Sequence, residues 1–240
     1  MSVLVFIVAE IGVNFRSFPE LVLMMQLAKD AGADAVKLQC YDHDTLVKVY
    51  PGGEVERHPM YDKLMVIQLT REGLHAVKKA ADSIGIEMFA TPMYLDAVDI
   101  LEEIEVKRYK IRYADRYNDE LLGKVIYTGK PVMISCAKDY RLSVVGKHDN
   151  ISCMFCIPKY PPEPIDFIHF PHSFSNNTII GYSNHYPSVK PALIAVSRGC
   201  QILEMHVKLK GTKPIDDAVS ITFEQLRVLV KLIREMEVYL

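Results

Sequence analysis

The sequence predicts an α/β fold, a single (β/α)8 TIM barrel. Three observations carry that prediction. Short apolar runs alternate with helical segments eight times along the chain. The runs are near-continuously apolar rather than alternating, as strands covered by helices on both faces must be. The length of 240 residues, half of them apolar, suits one barrel with a full core.

The strands are expected at residues 3–9, 35–39, 87–91, 108–112, 132–136, 151–157, 178–182 and 201–206. Between them, residues 19–29 place apolar side chains at 21, 24, 25 and 28, one face of a helix, and Ala31-Gly32 ends it. Thr70 is a cap for a helix over 70–83, and Gly85 closes it. Helices over 96–103, 119–127, 187–198 and 222–239 follow the same logic, with Gly129 and Gly199 after two of them. The fifth and sixth helical segments are weaker, because 138–150 is short and 160–171 is proline-rich. A long connection, 41–68, interrupts the second strand-helix unit. On the catalytic face of a barrel it reads as a lid hinged at Pro51-Gly52-Gly53 and bringing Glu54, Arg57, His58 and Tyr61 over the site, or as a loop packed on the rim for stability. There is no internal repeat, low-complexity run or linker.

Composition narrows the partners. A formal net charge of −2 gives no reason to expect nucleic acid or an anionic membrane surface. No run of about 18 apolar residues occurs, and the N-terminus lacks the basic region and cleavage site of a signal peptide, so a cytoplasmic protein is expected. Five cysteines, an odd number, do not suggest a disulfide framework. Cys153 and Cys156 have C-x-x-C spacing. They lie in the apolar run Ile151-Ser-Cys-Met-Phe-Cys-Ile157 with no second pair, which favours buried strand cysteines over a redox or zinc site.

The chemistry concentrates at predicted strand ends. His185 closes Gly181-Tyr-Ser-Asn-His185, and His206 closes Ile202-Leu-Glu-Met-His206. Both imidazoles should therefore emerge at the carboxyl ends of parallel strands, where barrels keep their active sites. Singly, each reads as an ordinary polar residue ending a strand; together they make a divalent-metal site, with Glu204 on the same side as His206. Strand parity also pairs Lys37 with Gln39, Lys110 with Arg112, and Ser183 with His185. A lone lysine at a strand end snorkels to water. An inward cluster of Lys37, Gln39, Lys110, Ser135, His185, Glu204 and His206 is costly unless it binds something, and the natural guest of its cations is a phosphate or carboxylate. Glu10, ending the first strand, adds an acid or base across the site.

Several segments resemble the sialic acid synthase (N-acetylneuraminate synthase) family. They are Ala9-Glu-Ile-Gly-Val-Asn14, Ala28-Lys-Asp-Ala-Gly-Ala-Asp-Ala-Val-Lys-Leu-Gln39, Gly85-Ile-Glu-Met-Phe-Ala-Thr-Pro92, Tyr109-Lys-Ile111, Thr128-Gly-Lys-Pro-Val132, Tyr160-Pro161, Gly181-Tyr-Ser-Asn-His185 and Glu204-Met-His206. The resemblance covers almost the whole chain. It implies condensation of phosphoenolpyruvate with an aldehyde sugar such as N-acetylmannosamine, giving a sialic-acid-type 2-keto sugar acid and phosphate. It implies a divalent cofactor, Mn2+ or Mg2+, on His185 and His206. It further implies a phosphoenolpyruvate pocket of Lys37, Thr91, Lys110, Ser135, Tyr160 and Ser183, with Glu10, Gln39 and Asp216 facing the sugar and Glu204 near the metal. Glu10 or Glu204 would move protons, and a homodimer is compatible with the family's assembly.

The chain departs from that pattern in places. Arg112 and Tyr113 follow Lys-Ile where the family has small residues, and Tyr113 replaces a serine that helps hold phosphoenolpyruvate. Pro158, Asn184 and Phe15 replace the family's Asn, Asp and His, and Ser135-Cys-Ala-Lys138 replaces Ser-Thr-Gly-Met. Residues 1–240 are expected to be one catalytic barrel without the family's C-terminal antifreeze-like domain. The alternatives are a metal-dependent aldolase of another class and a non-catalytic barrel serving as a binding or assembly partner.

Overall fold

The computed structural model describes residues 4–51, 54–137, 148–174 and 179–239. In chain order the strands are β1 (Phe6–Gly12), β2 (Ala35–Cys40), a short pair β3 (Val47–Val49) and β4 (Val55–Arg57), β5 (Glu87–Pro92), β6 (Tyr109–Ile111), β7 (Val132–Cys136), β8 (Ile151–Phe155), β9 (Ile179–Asn184), β10 (Ile202–Lys208) and β11 (Ile221–Thr222). β1, β2 and β5 through β10 pair side by side in parallel, and β10 pairs back with β1, closing an eight-stranded barrel. The predicted (β/α)8 barrel is therefore what forms. The helices are α1 (Phe18–Asp30), α2 (Tyr61–Val66), α3 (Arg71–Ile84), α4 (Leu95–Glu103), α5 (Asp119–Tyr127), α6 (Lys190–Ser197) and α7 (Phe223–Met236). Among the described residues, no helix is long and apolar enough to cross a membrane.

The helices start and stop where side chains satisfy their end groups. Ser17, Thr70, Asn118 and Thr222 each accept a hydrogen bond from the backbone N–H three residues on, capping α1, α3, α5 and α7. Thr222 and Gln225 complete a reciprocal capping box. Gly85 ends α3 at φ +75°, a left-handed conformation that favours glycine. α1 buries Leu21, Met24, Met25 and Ala28, the stripe the sequence marks out. Burial of each large apolar side chain contributes about 1.5–3 kcal/mol.

Three expectations need correction. The first strand lies at Phe6–Gly12 rather than 3–9, and Val3 falls outside the described residues. β1 continues through polar Glu10 because β2 and β10 supply ladder partners there, with Glu10 opposite both Lys37 and His206. Polar Glu10 interrupts the apolar run after Ala9, so composition alone hides the extension. The fourth strand is only Tyr109–Ile111: Arg108 pairs with Glu87 at 2.6 Å, and Arg112 turns aside to Asp115. The sixth helical segment is a six-residue 3-10 turn, Pro164–His169. Most of the fifth, at 138–150, lies outside the described residues.

The 41–68 connection is structured. It contains the β3–β4 hairpin and α2, and it has its own small core of Val13, Tyr41, Leu46 and Leu64. The Tyr41 hydroxyl donates to the Leu64 carbonyl at 2.8 Å. Arg57 lies over the Tyr61 ring at 5.0 Å. Gly52 and Gly53, the expected hinge, lie outside the described residues. Of Glu54, Arg57, His58 and Tyr61, only His58 lines the central cavity.

Gly181 in β9 shows how tightly the wall is built. A Cβ there would stand 2.8 Å from Met154 Cγ and 3.0 Å from the Ile202 carbonyl oxygen. The Gly181→Ala variant is expected to lose about 1–3 kcal/mol of stability through overpacking, read as a lower midpoint in urea. An unshifted midpoint would show that β8 and β10 yield at no cost.

Candidate active site

A cavity of about 470 Å³ opens at the carboxyl ends of the barrel strands. Every residue that the sequence assigned to the site lines it: Glu10, Lys37, Gln39, Thr91, Lys110, Arg112, Ser135, Tyr160, Ser183, His185, Glu204, His206 and Asp216. They come from all eight barrel strands or the segments just beyond them, which is why no single stretch of sequence displays the site.

The deep part of the cavity is built from buried ion pairs. Lys37 Nζ lies 3.0 Å from Glu10 Oε2 and donates to Thr91 Oγ1 at 3.1 Å. Lys110 Nζ donates to Ser135 Oγ at 2.6 Å and lies 3.4 Å from Glu204 Oε2. Ser183 Oγ donates to Glu204 Oε1 at 2.9 Å, and Gln39 Nε2 donates to Glu10 Oε1 at 3.3 Å. Gly12 makes this last approach feasible, since a Cβ at its φ of +54° would sit 2.8 Å from Glu10 Oε1. Both lysines are at least 95% excluded from solvent, and buried charge persists only when it is paired or holds a ligand.

The two glutamates are driven apart. Burial raises Glu10 and nearby Glu204 adds to that, outweighing Lys37. Burial on its own would also raise Glu204, but Lys110 and Lys37 reverse it and hold this carboxyl well below the usual range. Burial likewise works against the Lys37 ammonium, yet Glu10 and Glu204 keep it above its ordinary value. Separated carboxyls of this kind divide acid–base labour, the raised one suited to exchanging a proton and the lowered one to holding a charge.

The imidazoles face each other with ring centroids 5.4 Å apart. The Tyr160 hydroxyl lies 3.3 Å from the His206 ring nitrogens, and its ring is 4.9 Å from that of His185. Burial and the neighbouring His206 push His185 down to about 3, so it is neutral at pH 7. Burial opposes protonation of His206 too, but Asp216, 3.5 Å from Nδ1, holds it above the ordinary histidine value. Asn14 positions Asp216: its Oδ1 accepts from the Asp216 backbone N–H at 2.9 Å, while its Nδ2 donates to the Val207 carbonyl and Ser220 Oγ. The sequence shows Asn14 only as the end of a motif; its role depends on two segments about 200 residues away.

The donor set suits a divalent ion. Two imidazoles within reach of one ion are joined by Glu204 Oε2 and Asp216 Oδ2, buried oxygens with ion-pair neighbours and no hydrogen bond. Among the described residues no three His, Cys, Asp or Glu are already arranged as a cage. Two of these ligands therefore leave the remaining coordination to water or substrate, as in open catalytic sites. Cys153 and Cys156 are buried thiols, the latter pushed by burial up to about 12, and neither joins such a cluster.

Comparison with known proteins agrees with this arrangement. The model of the NeuB family matches residues 24–240. This chain belongs to the NeuB family. An N,N'-diacetyllegionaminic acid synthase of Legionella pneumophila is 28% identical over 265 residues, covering 100% of this chain and 74% of that protein. An uncharacterized protein of Methanocaldococcus jannaschii is 29% identical over 250 residues, covering 97% of this chain and 71% of its own length. The crystal structure of an N-acetylneuraminic acid (sialic acid) synthetase from Leptospira borgpetersenii, in complex with citrate, superposes with a TM-score of 0.83 at 24% identity, covering 98% of this chain and 85% of that one. At that identity the likeness shows the shared barrel. Several relatives in the family carry the names of sialic-acid-type sugar acid synthases.

Three lining residues escaped the sequence reading altogether. Lys159 precedes Tyr160 beyond β8, Met93 follows β5, and Ala114 lies in the turn after β6. Position shortly after a barrel strand was the available signal for all three.

Proposed function

We propose that this chain condenses phosphoenolpyruvate with an aldehyde sugar of the N-acetylmannosamine type, releasing phosphate and a sialic-acid-type 2-keto sugar acid. The observation that carries the reading is the pair of buried lysines, each held by a buried carboxylate, in the same cavity as two facing imidazoles. Lys37, Thr91, Lys110, Ser135 and Ser183 line the deep end, where they bind and orient a small acid. Gln39 and Asp216 contact the sugar. His185 and His206 would hold a divalent ion, Mn2+ or Mg2+, which would supply Lewis-acid polarisation of the acceptor carbonyl.

In the reaction, C3 of the enol forms a bond to the aldehyde carbon, and the cation left at C2 takes up water. Loss of phosphate by C–O cleavage then leaves the keto group. The aldehyde oxygen must gain a proton and the entering water must lose one. Glu10, the carboxyl that burial holds raised, is the group suited to carry that proton, while Glu204 stays ionised beside Lys110 and steadies the positive charge that develops at C2. A phosphate-release assay with phosphoenolpyruvate, manganese and a panel of aldehyde sugars, with the product weighed by mass spectrometry, tests the assignment. Phosphate release without a new carbon–carbon bond, or none with any acceptor, would overturn it.

Metal binding should be sensitive to pH. Both imidazoles must be unprotonated to coordinate, and Asp216 holds His206 above the ordinary value near 6.5. Manganese affinity is therefore expected to weaken as pH falls through 7 toward 6, by up to about tenfold per pH unit for one competing proton. His185→Ala and His206→Ala should each remove most of the binding seen by calorimetry. Undiminished manganese affinity in both variants would eliminate this site.

A further inference from the structure

The deep donors of the cavity are engaged within the protein. The Lys37 ammonium serves Glu10 and Thr91, the Lys110 ammonium serves Ser135 and Glu204, and the Gln39 amide serves Glu10. A sugar in the outer part of the cavity presents hydroxyl and carbonyl oxygens that need donors of their own. His58, exposed at the mouth, holds one.

His58 directly follows β4, and the chain fixes it from both sides. Its backbone N–H donates to the Leu46 carbonyl at 2.8 Å, carrying the β3–β4 pairing one step further and tying the residue to the small core that contains Leu46. Pro59 holds the backbone of His58 to extended conformations. The Met60 N–H donates to His58 Nδ1 at 3.1 Å. Nδ1 must therefore offer its lone pair, and the neutral imidazole carries its proton on Nε2. Among the described residues Nε2 makes no hydrogen bond. One nitrogen anchors the ring while the other remains a donor beside the cavity.

From this fixed tautomer we infer that His58 is a binding residue for the acceptor, its Nε2–H donating to an uncharged oxygen of the sugar at the end remote from the aldehyde. The inference rests on the synthase reading for the aldehyde's place near the imidazoles. Phosphoenolpyruvate sits among the buried lysines, below the level of an exposed residue of the 41–68 connection, so the contact belongs to the acceptor. A donor whose direction is set before binding loses little freedom when the sugar arrives.

The competing role for His58 is local: Nδ1 satisfies the Met60 N–H at the turn into α2 and nothing more. Two substitutions separate the roles. In His58→Asn the short amide oxygen can still accept from the N–H two residues on, but no donor reaches the cavity. In His58→Gln the longer amide restores a donor at about the reach of Nε2 and gives up the turn. KM for N-acetylmannosamine is expected to rise about three- to tenfold in His58→Asn, the effect of one hydrogen bond, and to return to within about twofold of wild type in His58→Gln. KM for phosphoenolpyruvate, kcat and the urea midpoint should stay at wild-type values in both. A wild-type His58→Asn beside an impaired His58→Gln would leave His58 in the turn and overturn the inference. A raised KM that tracks a lowered urea midpoint in both variants, or a raised KM for phosphoenolpyruvate instead, would overturn it as well.

Binding without turnover separates this outcome from failure of the synthase reading. N-acetylmannosamine is titrated calorimetrically into wild type and both variants with manganese and phospholactate, the saturated analogue of phosphoenolpyruvate, which has no enol carbon to condense. Weaker binding to His58→Asn alone, in a protein that releases no phosphate with any acceptor, keeps the His58 contact and removes the synthase. Turnover with equal sugar affinity in all three proteins keeps the synthase and removes the contact. Absence of sugar binding to the wild type removes the contact too.

Discussion

Replacing Glu10 with Gln is expected to lower kcat by about 10²–10⁴-fold while leaving phosphoenolpyruvate affinity within a few-fold of wild type. The range is that of a positioned general acid–base group. Glu10 is buried, burial raises its carboxyl, and it lies beside Gln39 on the side of the cavity assigned to the sugar. Glutamine keeps the shape and the capacity to accept from Gln39 but cannot take up or release the proton. The discriminating readout is the pH profile: the limb governed by the raised carboxyl should vanish in Glu10→Gln. Glu204→Gln should behave differently, lowering kcat through loss of the charge that steadies C2 while keeping the pH limb governed by Glu10. A Glu10→Gln enzyme with near wild-type kcat would remove Glu10 from the chemistry and leave it a structural partner of Lys37.

Lys37→Met is expected to destabilise the fold by about 3–5 kcal/mol, the cost of leaving one member of a buried ion pair alone. Glu10 Oε2 makes no hydrogen bond beyond its contact with Lys37 at 3.0 Å, so little else compensates it. The double variant Glu10→Gln with Lys37→Met should regain most of that stability, since neither position then carries charge, yet it should still bind phosphoenolpyruvate at least about tenfold more weakly.

The sign of the pH dependence follows from the lone carboxyl. Without Lys37, Glu10 titrates in the folded state above its unfolded value near 4.3. The difference from wild type should therefore be small below about pH 4, where both states are protonated, and should grow as pH rises toward 7. Urea unfolding at several pH values measures it. A loss under about 1 kcal/mol at pH 7 would mean that water reaches the pair and screens it.

The sequence by itself determined the barrel, the alternation of its elements and most of the residues that line its central cavity. Apolar runs long enough to be covered on both faces could only be inner strands, and α1 buries the stripe read from residues 21, 24, 25 and 28. Polar residues of the required type at strand ends named Lys37, Lys110, His185, Glu204 and His206, because a barrel interior tolerates such groups only at its catalytic rim. Tertiary structure decided what periodicity cannot express. β1 extends to Gly12 because neighbouring ladders reach that far, not because the chain is apolar there. The 41–68 segment folds around its own small core, built in part from Val13, which lies outside it. Asp216 is set by Asn14, which also ties to Val207 and Ser220. These features depend on distances between residues far apart in the chain, and a pattern of neighbours along one strand carries no information about them.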